Sequence, residues 1–201
     1  MAAHLLDGHP VGLAGVLIMS AGGVAFFLSV LQARRAIGGA GEAGARRSPA
    51  SILGIGLQML AFASAGFGRV RIEGSETAPE RLAVAAAVAA LIFGAVLIFR
   101  AAARAMGRNW SLVARTREDH ELVQHGVFAR IRHPIYLAMG LFLLALAVSL
   151  GHERNLLVAL PLFALGTAIR VRIEEELLRD LFGAAYGDYS ARVKRFVPGL
   201  F

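Results

Sequence analysis

Cysteine is absent from the 201-residue chain. That excludes disulfides, thiolate metal sites and a cysteine nucleophile. Lysine occurs once, at Lys194, and every other basic residue is arginine, a bias that points to a GC-rich bacterial genome. Charge is scarce: 17% of residues are Asp, Glu, Lys or Arg, and 57% are apolar. Soluble domains sit near roughly 25% charged and about 45–50% apolar. The shortage excludes a disordered chain, a nucleic-acid tail and an ordinary cytosolic enzyme. No lysine or arginine precedes the first apolar run. That run lacks the charged leader of a signal peptide and reads as a retained helix.

Apolar sequence fills the gap. Mean hydropathy is +0.62. A helix needs roughly 20 apolar residues to cross about 30 Å of hydrocarbon. Val11–Leu31 carries no charge and is long enough. Ala50–Phe67 and Leu82–Phe99 have 18 uncharged residues each, Ile135–Leu150 has 16 and Leu156–Ile169 has 14. The last two are short. They span only if extended at their ends, or they form a shallower hairpin turning at Gly151–Asn155. The expected fold is all-α: a polytopic membrane helix bundle of about five transmembrane helices. Residues 1–201 read as one integral-membrane domain. Helices 1–3 fall within 1–105, and the motif-bearing region with helices 4 and 5 within 106–201.

The formal net charge is +7, with a pI near 11.1. In a soluble protein this would suggest nucleic acid. Here the basic residues lie between apolar runs, so membrane lipid headgroups are the expected partner and nucleic acid is not. Arginines crowd the first loop (Arg34, Arg35, Arg46, Arg47) and the third, which holds seven between Arg100 and Pro134. The second loop balances three arginines with three glutamates. The positive-inside rule then puts the first loop, the third loop and the C-terminal tail in the cytoplasm, with the N-terminus outside. The expected location is a bacterial inner membrane.

One dinucleotide-type string, Gly39-Ala40-Gly41-Glu42-Ala43-Gly44, follows a membrane helix rather than a strand, so it reads as a glycine-rich loop. The polar chemistry collects elsewhere. The third loop carries His120-Glu121-Leu122-Val123, then Gly126-Val127-Phe128, then Arg132-His133-Pro134-Ile135-Tyr136. Pro134 suits the first position of a helix. The backbone N–H groups of that helix start would favour an anion, with Arg132 and His133 beside it. The same residues also fit as interfacial polar groups with Tyr136 in the aromatic belt. The fifth run ends in Arg170-Val171-Arg172-Ile173 and three glutamates, Glu174 to Glu176. Arg170 and Glu174 share a helix face. Charges at that depth are often functional, although a solvated continuation with Arg–Glu pairs accounts for them too. Leu177, Leu178, Leu181 and Phe182 continue an amphipathic stretch expected along the interface, ending near Gly183 as a cap.

Together, RHPIY at 132–136, the EE-x-x-L-x-x-x-FG-x-x-Y-x-x-Y string from Glu174 to Tyr189, and Arg195-Phe196-Val197-Pro198 resemble the isoprenylcysteine carboxyl methyltransferases. Their bacterial relatives and the phospholipid methyltransferases share the pattern. The resemblance covers about Met106 to Pro198. It implies a membrane methyltransferase that uses S-adenosylmethionine without a Rossmann domain, in a cytoplasmic pocket under a C-terminal lid. The acceptor is a lipophilic small molecule or lipidated substrate arriving sideways from the bilayer, most simply the carboxylate of an isoprenylcysteine. By position, the cofactor contacts fall on His120, Glu121, Leu122, Val123, Phe128, His133, Pro134, Ile135, Tyr136 and Glu174. Arg170 falls where the family has an arginine facing the acceptor, as substrate-binding and catalytic residue. Phe128 stands where the family has tyrosine, which removes one hydroxyl contact. No metal is implied.

The chemistry is consistent with that reading. Glu174 suits the cofactor ammonium through a charge-assisted bond, and the helix start with His133 suits its carboxylate. A carboxylate acceptor needs no general base. A thiol or amine would need one, for which His120 or His133 stands available. The alternatives are a phospholipid, thiol or amine methyltransferase, and a non-enzymatic membrane protein that keeps the motif. A haem protein is disfavoured because all six histidines lie outside the uncharged cores. A reductase is disfavoured because the related sterol reductases are much longer.

Overall fold

The computed structural model describes residues 8–36, 49–74, 78–107 and 121–197. The glycine-rich string at 39–44 and His120 lie outside them. Among the described residues six α-helices form: α1 Leu13–Ala36, α2 Pro49–Gly66, α3 Pro79–Met106, α4 Pro134–Leu150, α5 Leu156–Phe182 and α6 Ala184–Arg192. The chain is an all-α integral membrane bundle. Three helices are long and apolar enough to cross a membrane, at Leu13–Arg35, Pro79–Met106 and Glu153–Phe182, and α2 and α4 are shorter apolar helices packed among them.

The helix boundaries follow from local sequence. Pro79 and Pro134 sit in the first turns of α3 and α4, where the missing N–H leaves no bond unmade. Gly151 closes α4 in the left-handed region at φ +72°, and a Cβ there would lie 2.3 Å from the His9 carbonyl oxygen. A 3₁₀ turn at Glu153–Asn155 then starts α5, so the predicted turn at Gly151–Asn155 forms where expected. The amphipathic stretch from Leu177 to Phe182 continues α5 and ends at Gly183, as expected. One expectation changes. The Tyr186–Tyr189 stretch does not merely end that helix. It folds as α6, because Tyr186 and Tyr189 bury themselves with Val193 against Leu122, Leu178 and Phe182.

Helix α4 sits at the centre. On one side Met19 of α1, Val88, Ile92 and Ala95 of α3 and Ala145 of α4 form one core. On the other, Ala61 and Ala65 of α2, Leu143 and Ala147 of α4, and Ala159 and Phe163 of α5 form a second. Lipid is as apolar as leucine, so membrane helices associate through close packing, which small residues permit. One phenylalanine from each of α1 to α5 links the cores. Phe99, Phe26, Phe142, Phe62 and Phe163 follow one another at centroid distances of 4.9, 5.0, 5.8 and 6.2 Å.

The two ends of the bundle are tied differently. At one end residues 9–11 bond to the second loop and to Gly151, through His9 N–H to Gly151 O and Val11 N–H to Arg71 O. At the other, the C-terminal tail runs beside the entry to α4: Arg132 N–H bonds Lys194 O at 2.9 Å and His133 N–H bonds Arg195 O at 3.0 Å. The third loop and the tail therefore meet.

Helices α2 and α5 cross at glycines. A Cβ on Gly54 would lie 2.6 Å from Arg170 Cγ and 3.0 Å from Gly166 O, whereas one on Gly56 would meet nothing within 4 Å. Gly54→Ala should therefore lower stability by about 1–3 kcal/mol through overpacking. Gly56→Ala should be neutral or slightly stabilising, since alanine is the better helix former by about 1 kcal/mol. Thermal denaturation in detergent, both variants side by side, checks the contrast.

Candidate active site

The tail, the start of α4 and the C-terminal end of α5 converge on one carboxylate. Glu175 is 1% exposed. Arg195 grips it with a fork, Nε to Oε1 at 3.0 Å and Nη2 to Oε2 at 2.7 Å. Arg132 Nη2 reaches Oε1 at 3.1 Å, Arg179 Nη2 reaches Oε2 at 3.1 Å, and His133 Nε2 lies 3.2 Å from Oε1. A carboxylate has about four lone-pair sites, and these donors occupy them. Arg132 also donates from Nη1 to the Ser190 carbonyl of α6. The bidentate grip of Glu175 raises the Arg195 pKa further above its already high value.

The neighbouring Glu174 is different. It is 26% exposed, accepts a hydrogen bond from the Tyr136 hydroxyl, and lies 3.7 Å from both His133 Nδ1 and Arg170 Nη2. His133, itself 6% exposed, thus stands between two carboxylates, Nε2 toward Glu175 and Nδ1 toward Glu174. Arg170 lies 5.4 Å over the Tyr136 ring and donates to Gln58 of α2 at 3.4 Å.

A cleft of about 950 Å³ opens between α4 and α5. It exists because α4 packs chiefly along α3 and α5 chiefly along α2. Its walls are apolar, with Leu137, Leu141 and Leu144 from α4 facing Leu160, Phe163 and Ala168 from α5. Its polar end holds Tyr136, Arg172, Glu175, Glu176 and Arg179, closed by Arg195 and Phe196 of the tail. An amphiphile with a polar head fits such a space.

The structure brings His133, Tyr136, Glu174 and Arg170 into one cluster, with Tyr136 shared by cluster and cleft. Arg170 is not among the cleft-lining residues and packs against Gly54 and Gln58 of α2. Pro134 is fully buried beneath them. Ile135 points away and packs in the core of Phe99 and Ala138. Phe128 is buried, and its carbonyl accepts from the Tyr189 hydroxyl at 2.8 Å. Glu121 is exposed, Val123 half-buried, and Leu122 packs on the tyrosines of α6. Burial holds Tyr186 and Tyr189 protonated, their pKa values pushed up to about 12.

Sequence reasoning did not single out Glu175, Gln58 or Thr167. The buried positions of α5 are Ala159, Phe163, Gly166, Thr167, Val171 and Glu175. Extending that stripe by steps of three and four would have selected Glu175 from the acidic triplet.

Residues 82–185, just over half of the chain, match the model of the phospholipid methyltransferase family. The chain is similar to protein-S-isoprenylcysteine O-methyltransferases. It is 33% identical to that of Saccharomyces cerevisiae over 96 residues, 46% of this chain and 39% of the relative. It is 32% identical to that of Tribolium castaneum over 84 residues, 40% of this chain and 28% of the relative. Enzyme B of Arabidopsis thaliana is 30% identical over 94 residues, 46% of this chain and 48% of the relative. The match therefore spans less than half the length of these relatives. The matched segment runs from α3 into α6 and contains the cluster from His133 to Glu174 and Glu175, so the chain belongs to the phospholipid methyltransferase family.

Proposed function

We propose that the protein transfers a methyl group from S-adenosylmethionine to the carboxylate of a lipophilic acceptor, as the names of its relatives describe for isoprenylcysteine. The observation that carries this reading is the cleft: apolar walls inside the bundle lead to a polar end of mixed charge beside Glu174 and His133. The donor set fits the cofactor. Its ammonium needs an accessible carboxylate, and Glu174 offers one that stays 26% exposed beside His133 and Arg170. Its carboxylate needs cations, and Arg172, Arg179 and Arg195 stand at the same end. Tyr136 and Phe196 offer aromatic surface. When bound, the cofactor supplies a methyl on a sulfonium, a leaving group that needs no proton.

The protein's own work is then alignment. Arg170 holds the acceptor carboxylate beside Tyr136. Held by Glu174 and the arginines of the polar end, the cofactor would supply the methyl group and leave as a neutral thioether, while Arg170 would keep the acceptor oxygen in line with it. An ionised carboxylate loses no proton, so no base is required. Positioning of this kind supplies much of the barrier reduction in an in-line displacement. The decisive experiment incubates purified protein with methyl-labelled cofactor and either S-farnesyl-N-acetylcysteine or phosphatidylethanolamine vesicles. A base-labile methyl ester on the farnesyl compound is expected. N-methylation of the phospholipid instead would replace the carboxylate acceptor by an amine.

Two variants separate the cofactor from the acceptor. Glu174→Gln should weaken cofactor binding by about ten- to a hundredfold, the loss of a charge-assisted bond of about 1.5–3 kcal/mol. Arg170→Lys keeps the charge but not the two-pronged geometry. It should leave cofactor affinity within a few-fold and reduce methyl transfer on the order of a hundredfold. Calorimetry and turnover on the same preparations give both numbers.

The orientation follows from charge. The site end carries Arg34, Arg35, Arg100, Arg104 and the arginines of the α4 entry and α5, and we infer that it faces the cytoplasm of a bacterial inner membrane, with the N-terminus outside. The native chain has no cysteine, so single cysteines report position cleanly. Glu73→Cys and Arg154→Cys should react with an impermeant maleimide on intact cells. Ala129→Cys should react only after permeabilisation. Labelling of Ala129→Cys from outside would invert the topology.

A further inference from the structure

Gln58 lies near the middle of α2, in an otherwise apolar stretch outside the segment that matches the family. It is 2% exposed. An amide at that depth is expensive unless bonded, and such residues often serve a site. Its Nε2 donates to Thr167 Oγ1 at 2.9 Å, and its Oε1 accepts from Arg170 Nη1 at 3.4 Å. The amide orientation is forced chemically. A guanidinium has only donors, so the amide oxygen must face Arg170 and the nitrogen must face the hydroxyl.

The backbone makes this reach possible. A Cβ on Gly166 would lie 2.7 Å from Gly54 O and 3.1 Å from Gln58 Cγ, so only glycines allow α2 and α5 to approach here. The same crossing traps the stem of Arg170, whose Cγ fills the space a side chain on Gly54 would take. At the other end of the guanidinium, Nη2 lies 3.7 Å from Glu174 Oε1. Arg170 thus meets, besides Tyr136, a neutral amide on Nη1 and a carboxylate on Nη2.

We propose that Gln58 is a positioning residue that holds Arg170 back from a closed ion pair with Glu174 and keeps its donors directed for the acceptor, with Thr167 as the anchor of the amide. The inference rests on the reading of Arg170 given above. A simple helix-association role would need only the Gln58–Thr167 bond. The second contact, with the oxygen on Arg170, is what a structural role leaves unexplained. Without the amide oxygen the guanidinium loses a contact that draws it toward α2, and Arg170 swings toward Glu174.

The test is a double-mutant cycle, with S-farnesyl-N-acetylcysteine as acceptor and labelled S-adenosylmethionine as donor. Gln58→Met keeps the volume and removes both bonds. Expected is a fall in kcat/KM for the acceptor on the order of tenfold, carried mainly by KM, with cofactor affinity within about threefold. In the Arg170→Ala background the same substitution should cause no further loss, because coupled residues are non-additive. Thr167→Val should move the same parameter in the same direction, and it carries the test if Gln58→Met does not fold. Full activity in both Gln58→Met and Thr167→Val overturns the proposal, as does an equal loss of activity in the two Arg170 backgrounds. Full activity in Arg170→Ala is a separate result: it removes Arg170 from acceptor binding and takes the positioning role with it.

Discussion

One buried carboxylate organises the functional end of this bundle. Glu175 joins three parts of the chain that are far apart in sequence: the entry to α4 through Arg132 and His133, α5 itself through Arg179, and the tail through Arg195. Burying an ion is unfavourable unless its partners replace the water it loses, and removing one partner from such a cluster costs about 3–5 kcal/mol. Glu175 has its replacement from four side chains at once. The tail is thereby fixed beside α4, where the Lys194 and Arg195 carbonyls take the N–H groups of Arg132 and His133. Phe196 comes with it and becomes a wall of the cleft.

The cleft itself is a consequence of how five helices share one centre. Helix α4 packs into two cores, with α1 and α3 on one side and α2 and α5 on the other. The glycine crossing at Gly54 and Gly166 draws α5 onto α2. What is left between α4 and α5 is apolar for most of its length, and polar only where α5 outruns the apolar stretch. Helix pairing thus sets the walls of a space of about 950 Å³, and Arg195 and Phe196 of the tail close its polar end.

Much of this was legible in the sequence. Five uncharged runs, the proline at the start of α4, the turn at Gly151 and the capping role of Gly183 each follow from a local rule. So did the convergence of His133, Tyr136, Arg170 and Glu174, through a resemblance carried by short motifs. What was not legible depended on tertiary phase. Which of Glu174, Glu175 and Glu176 faces inward is set by the rotation of α5 about its axis, and α2 fixes that rotation through two glycines that look like ordinary membrane residues. The helix that holds Tyr186 and Tyr189 follows from no local rule, because nine residues rarely make a helix alone. The apolar pocket of Leu122, Leu178 and Phe182 supplies the missing stabilisation. Ile135 was grouped with its motif neighbours, yet one helical step turns it from the cluster into the α1–α3 core.

That rotation also divides the labour between adjacent carboxylates. Glu174 and Glu175 lie about 100° apart on α5. Glu175 meets charged donors on both oxygens and is 1% exposed, so no ligand can compete for it without breaking the tail and the α4 entry. Glu174 meets a neutral hydroxyl, with the His133 ring and the Arg170 guanidinium at 3.7 Å rather than in close contact. An incoming cation therefore displaces little at Glu174 and gains a carboxylate already turned toward His133 and Tyr136. The closed pair and the open carboxylate depend on each other. His133 contacts both, so the cluster around Glu175 fixes the ring that faces Glu174.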